Sequence, residues 1–240
     1  MHTRWRRSLT LLCKRLRGAL SLRRSRVAPC RPLVELLEDR CVPSGLPVHR
    51  GITTTWFYVG EPADAANGFI ANTASAWDDL WEQHYGSVDG PTARNGYFPA
   101  GFTPQQNPFY FALPYDDLDN NGVRKPDAAH VIPWARRTHV PRADSLLKNH
   151  WIKITAHGRV AYAQWEDVGP FLDSDAAYVF GGAPPSNPDG VHAGLDVSPA
   201  ARDYLGLGDV SRTRWQFVNA GQVPPGPWTQ IVTTSQVFFA

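Results

Sequence analysis

Trp151-Ile-Lys-Ile-Thr-Ala156, His157-Gly158 and Arg159-Val-Ala-Tyr-Ala-Gln-Trp165 follow one another without interruption, and their reading decides the fold. Each long run alternates, so one side of an extended chain faces a core while the other faces water. A two-residue link ending in glycine matches the twist of a β-hairpin. The second run passes directly into Glu166-Asp167 and then Val-Gly-Pro-Phe171, so the hairpin delivers an acidic pair to a strand end.

Working outward, Ile52-Thr-Thr-Thr-Trp-Phe-Tyr-Val59, closed by Gly60, reads as the first strand of the domain. Asn72 or Thr73 is placed to cap a short helix through Trp77, Leu80 and Trp81, stopped by Gly86. Residues 107–115 are apolar and aromatic between turn signals and read as a buried strand or extended segment beside a groove. Residues 116–150 read as an insertion, and 173–191, with Gly-Gly and Pro-Pro pairs, as an exposed loop. Ser198-Pro199 followed by Gly206 marks a two-turn helix, with cap, first-turn proline and terminating glycine in place. Residues 214–218 read as the last strand. The organisation expected is a leader over 1–45, a first strand and short helix within 46–106, a β-barrel core over 107–222 and a tail over 223–240.

The 240 residues carry a formal charge of only +2, but this total conceals two opposite parts. Residues 1–40 hold eleven Lys and Arg against three Asp and Glu; the other 200 hold thirteen against nineteen. An acidic body lacks the cationic face that phosphate binding requires, which sets nucleic acid aside as a partner. All three cysteines, Cys13, Cys30 and Cys41, precede the body, leaving it no disulfide or thiolate zinc site. In residues 4–26, Leu9, Leu12, Leu16 and Leu20 recur at helical spacing among arginines, as in a basic amphipathic helix or a disordered basic arm. No stretch is long and apolar enough to be a transmembrane segment.

The chemistry centres on Asp167, ending a strand, and Asp196, just before the capped helix. Two carboxyls at strand ends facing one groove suit glycosidic-bond cleavage, which needs a proton donor whose pKa a second carboxylate raises. On the residues alone, the alternative stands beside it: Asp196 caps the helix and Asp167 binds loop amides. Trp56, Tyr110, Tyr115, Trp165 and Phe171 are flat faces able to stack on sugar rings or to fill a core. His192, three residues before Leu195, is either a proton shuttle or an ordinary loop histidine. Asp117-Leu-Asp119-Asn-Asn121-Gly122 begins like a calcium loop, yet its twelfth position is Ala128 rather than glutamate, and no metal or cofactor is expected. His130, His139, His150 and His157 lack metal-ligand spacing and read as surface or turn residues.

Two motifs carry resemblances. Arg31-Pro-Leu-Val-Glu-Leu-Leu-Glu-Asp-Arg40-Cys-Val-Pro-Ser44 resembles a segment near the start of planctomycete exported and surface proteins, which implies a targeting leader and a secreted or cell-surface body. Residues 151–218, with Asp167-Val-Gly-Pro-Phe171, then Leu195-Asp-Val-Ser-Pro-Ala-Ala201 and Trp215-Gln-Phe-Val218, resemble the second half of rare lipoprotein A and expansin barrels. The fold implied is a mainly β, six-stranded double-psi β-barrel with short helices and long loop insertions. The resemblance implies a monomer that binds and cleaves a cell-wall glycan, peptidoglycan ahead of β-glucan, or an expansin-like module that only binds and loosens it; a structural surface protein that keeps the barrel only as scaffold is the remaining alternative. It assigns Asp167 and Asp196 to the groove, Asp196 matching the general acid of related family 45 glycoside hydrolases. Thr53, Thr54 or Thr55, with Trp56 and Tyr58, would match the opening strand, and Thr55 is carried forward as the candidate binding residue. Two departures stand out: Val168 replaces a basic residue, and the histidine of rare lipoprotein A has no counterpart before Leu113-Pro114. Glu61 lies just beyond the segment in which those hydrolases carry their base.

Overall fold

The computed structural model describes residues 45–240 apart from 66, 138, 139, 189 and 190. The leader motifs and His139 lie outside the described residues. In chain order the elements are β1 (His49–Trp56), α1 (Trp81–Tyr85), β2 (Arg94–Asn95), β3 (Phe98–Pro99), β4 (Tyr110–Leu113), α2 (Ala128–Val131), β5 (Trp151–Ala156), β6 (Arg159–Val168), α3 (Ala176–Val179), β7 (Leu195–Val197), α4 (Pro199–Leu205) and β8 (Ser211–Val218). Six strands close into a barrel in the order β1-β7-β4-β6-β5-β8, while β2 and β3 pair as a separate two-stranded hairpin. Closure leaves no barrel edge to pair with another chain.

The β5–β6 hairpin runs in unbroken register from Trp151 opposite Gln164 to Ala156 opposite Arg159. Its turn residues, His157 and Gly158, both have positive φ, 50° and 75°, as the tight hairpin turn demands. Alternation then sends Ile152, Ile154, Ala161, Ala163 and Trp165 into a core where each is fully buried. Trp215 joins them from β8. Two strand pairs are parallel, β1 with β7 and β4 with β6, and the rest of the wall is antiparallel.

The structure departs from the sequence reading in several places. β1 begins and ends three residues earlier than expected, and β8 starts at Ser211 rather than 214. α1 does not start at Asn72 or Thr73, because both capping candidates bond elsewhere. The Asn72 side chain donates to Glu61 Oε2, and the Thr73 carbonyl accepts from the Glu82 amide. Asp78 instead takes the Leu80 amide and turns the chain into a helix that begins at Trp81. Segment 173–191 is not all exposed loop: Asp175 caps α3, whose Tyr178 and Val179 are fully buried. His150 is no surface residue either, being buried with its ring 4.3 Å from that of Trp134. The calcium-like loop is occupied by its own chain: Asp117 accepts from Ser145 and the Leu146 amide, and Asp119 from the Asn121 and Val123 amides.

Residues 223–240 form a strap over the barrel. Thr233 bonds to the Asn107 amide and, through its backbone, to both ends of the Gln164 side chain, while the Phe238 amide donates to the Trp77 carbonyl. Among the described residues, no helix is long and apolar enough to cross a membrane.

Candidate functional site

The site grows from one row of residues across four strands. Thr55 on β1 lies opposite Asp196 on β7, Asp196 opposite Ala112 on β4, and Ala112 opposite Asp167 on β6. Directly opposed residues share a face of a sheet, so the row aims two carboxyls and a hydroxyl the same way. Asp167 and Asp196 stand two strand spacings apart, about 9–10 Å between Cα atoms. Ala112 between them is small enough to leave the space above it open.

A bulge puts Asp167 there. Along β4, Phe111 and Ala112 are adjacent, but their partners are Trp165 and Asp167, so Glu166 is an extra residue on β6. Bulges re-aim side chains in this way. The Glu166 side chain reaches Lys148 Nζ at 2.5 Å, and Asp167 is left facing the row.

The two carboxyls are held differently. Asp167 is buried, and its Oδ1 accepts from the Ala76 amide at 2.8 Å. Asp196 is half-buried and accepts from the Thr55 hydroxyl. Burial pushes Asp167 up to about 7 against the lowering of its amide bonds, with the charges of Asp116 and Asp196 adding to the rise. Burial likewise pushes Asp196 up to about 6, opposed by the Thr55 bond. The helix after Asp196 is capped by Ser198, which accepts from the Ala201 amide, so the capping alternative for Asp196 does not hold. The loop-amide alternative for Asp167 does describe one of its bonds.

Around the row opens a cleft of about 800 Å³. Thr55, Trp56, Asp167, Phe171 and Asp196, all singled out from sequence, line it. Phe171 is 47% exposed and stands at the end of the Gly169-Pro170 turn, its ring against Gly68 in the facing loop. Trp56 donates to Asp209 at 3.2 Å, and the Arg202 guanidinium lies 4.2 Å over its ring.

Other expected contacts are absent from the cleft. Tyr110, Tyr115 and Trp165 are core residues with 1% exposure or less, out of reach of any sugar. Tyr110 donates to Asp89, and Trp165 uses its indole to hold the Asp167 carbonyl. Tyr58 stacks beside Trp56 without lining the cleft. His192 is exposed and its Nδ1 is engaged by the Asn187 carbonyl, whereas its neighbours Val191 and Ala193 are the ones that face the cleft.

Two contributors had no sequence signal as site residues, and a third, Glu61, was marked only by its place just beyond the opening strand. Glu61 lines the cleft, its carboxyl raised by burial and steadied by Asn72, with Asp196 adding to the rise. Asp209 lies in the turn before β8. Residues 70–76 form the opposite wall and supply the amide that holds Asp167. Among the described residues no cluster of His, Cys, Asp and Glu is arranged to hold a metal ion. Comparison with protein-family models and with curated proteins found no match to this chain.

Proposed function

We propose that this protein is an exported double-psi barrel whose cleft binds a cell-wall glycan and cleaves it. Asp196 serves as proton donor and Asp167 as its partner. The observation that carries the reading is the row itself: a buried and a half-buried carboxyl flank Ala112 at the floor of one open cleft, both raised toward neutrality. A donor must keep its proton near the working pH, and raised carboxyls do so. The two parallel strand pairs within a closed six-stranded barrel are compatible with double-psi topology. The likeness of residues 151–218 to rare lipoprotein A favours peptidoglycan over β-glucan and a lytic reaction over hydrolysis. The leader motif supports a secreted or cell-surface location.

A second reading has its own support. The Thr55 hydroxyl donates to Asp196 and so favours the ionised carboxylate, which a proton donor does not need. An expansin-like module that binds without cleaving would use Asp196 as a fixed acceptor for sugar hydroxyls.

Incubation of the protein and of Asp196→Asn with purified peptidoglycan and with β-glucan tests both. Sedimentation measures binding, and mass spectrometry measures released sugars. Soluble anhydro-sugar products that vanish in Asp196→Asn establish the lytic reading. Binding without products establishes the expansin-like one, and neither binding nor products removes the glycan altogether.

A further inference from the structure

Next to the cleft lies a second cavity of about 700 Å³. Ile70, Ala76, Val168 and Phe171 line both, so the two are neighbours on either side of one shared wall. The exposed Phe171 ring stands at that junction.

The lining of this pair of cavities is electrically one-sided. From residue 45 onward the sequence has nineteen Asp and Glu and thirteen Lys and Arg. Four of the acids, Glu61, Asp167, Asp196 and Asp209, line the first cavity, the first three with carboxyls that burial pushes toward neutrality. Four more, Asp79, Asp116, Asp119 and Asp173, line the second. None of the thirteen cations lines either among the described residues, and no histidine does. Lys125 reaches Asp173 at 3.3 Å from outside and offsets one charge; Arg202 is engaged with Trp56 and Asp203. A concave surface with charges of one sign concentrates ligands of the other and repels those of its own.

Resting on the glycan reading above, we infer that the two cavities form one extended groove selective for amine-bearing strands, those whose amino sugars have lost their acetyl groups. The first cavity holds the ring next to the aspartate row, Phe171 supports the chain at the junction, and the carboxylates of the second cavity meet an ammonium group one or two sugars away. Anionic polymers such as uronates are excluded by the same field.

The test uses the whole protein and matched polymers: chitosan and chitin oligosaccharides of equal length, polygalacturonate, and peptidoglycan before and after chemical de-N-acetylation, all at low ionic strength. Chitosan should bind more tightly than chitin and polygalacturonate not at all, with de-N-acetylated peptidoglycan retained over its parent. The double variant Asp119→Asn/Asp173→Asn should narrow the chitosan-to-chitin ratio about threefold to tenfold, in the range of a pair of exposed charge contacts. The charge-matched control Asp144→Asn/Asp203→Asn, outside both cavities, should leave the ratio as it is. Equal binding of chitosan and chitin, tighter binding of the uronate, or an equal effect of the two double variants would overturn the selectivity while leaving the glycan reading intact. Binding to no glycan at all would overturn both.

Discussion

Two neighbouring carboxylates on β6, Glu166 and Asp167, serve two different regions. Glu166 is buried against the Lys148 ammonium at 2.5 Å, each side chain 1% exposed, in the body of the barrel. Asp167 is also buried, but its bonds come from the Ala76 and Val168 amides and its nearest charged influences are other carboxylates. A buried charge matched by an opposite charge holds a fold in one arrangement. One surrounded by its own sign rises in pKa and is left ready to exchange a proton or meet a ligand. A single bulge separates the two uses.

The largest effect should come from breaking the matched side. Glu166→Ala removes the carboxylate paired with a buried ammonium and should cost about 3–5 kcal/mol, read as a fall in Tm and denaturation midpoint, whereas Asp196→Asn, which replaces a carboxyl that burial already pushes toward neutrality, should lower neither. Next, under the lytic reading, Asp196→Asn should lower product release about a hundredfold or more, as loss of a general acid does, with the circular dichroism spectrum retained. In the wild type, release should fall as pH rises through about 6, where Asp196 gives up its proton.

The Asp167 side predicts a pH dependence of stability. Its folded pKa, about 7, lies above the ordinary 3.8, so between those values the folded state binds more protons than the unfolded one. Stability contributed by this group is therefore present below pH 4 and lost as pH rises to about 7. Asp167→Asn removes the effect, so the stability gap between variant and wild type should widen in the variant's favour over that window, by up to about 4 kcal/mol. Denaturant unfolding at pH 4, 5.5 and 7 measures it, and a constant gap contradicts the assignment. Smaller still, Thr55→Val removes the one bond that lowers Asp196 and should move the pH limb of activity upward. Phe171→Ala, at a half-exposed ring, should weaken glycan binding a few-fold and change stability by under about 1 kcal/mol.

What the sequence disclosed follows from how local each signal is. The hairpin from Trp151 to Trp165 and the helix begun by Ser198-Pro199 are written in adjacent residues, whereas the closed six-stranded barrel was expected from the resemblance of residues 151–218 and not from those local signals. The β6 bulge is not, since Trp165-Glu166-Asp167 reads as continuous strand and only pairing with Phe111 and Ala112 shows which residue is extra. Tyr110, Tyr115 and Trp165 carry no mark distinguishing a core ring from a groove ring, because that depends on chain segments tens of residues away. The wall formed by residues 70–76 was invisible for the same reason: it acts through the amide of Ala76, a group every residue but proline possesses. Asn72 misled because a capping residue can equally serve a distant carboxylate, here Glu61.

The seam between β1 and β8 carries a consequence for how the molecule comes into being. Arg212 donates to the Gly51 carbonyl across 161 positions of sequence, and His49, Arg50 and Ile52 to Thr54 pair with that distant strand on either side of a register shift at Gly51. Contacts of such separation are slow to form, since a long loop must be closed before any bonding offsets it. During synthesis the first strand therefore waits, with its β-branched residues uncovered, until β8 has been made. Until the seam is sealed, that uncovered surface is open to misassociation.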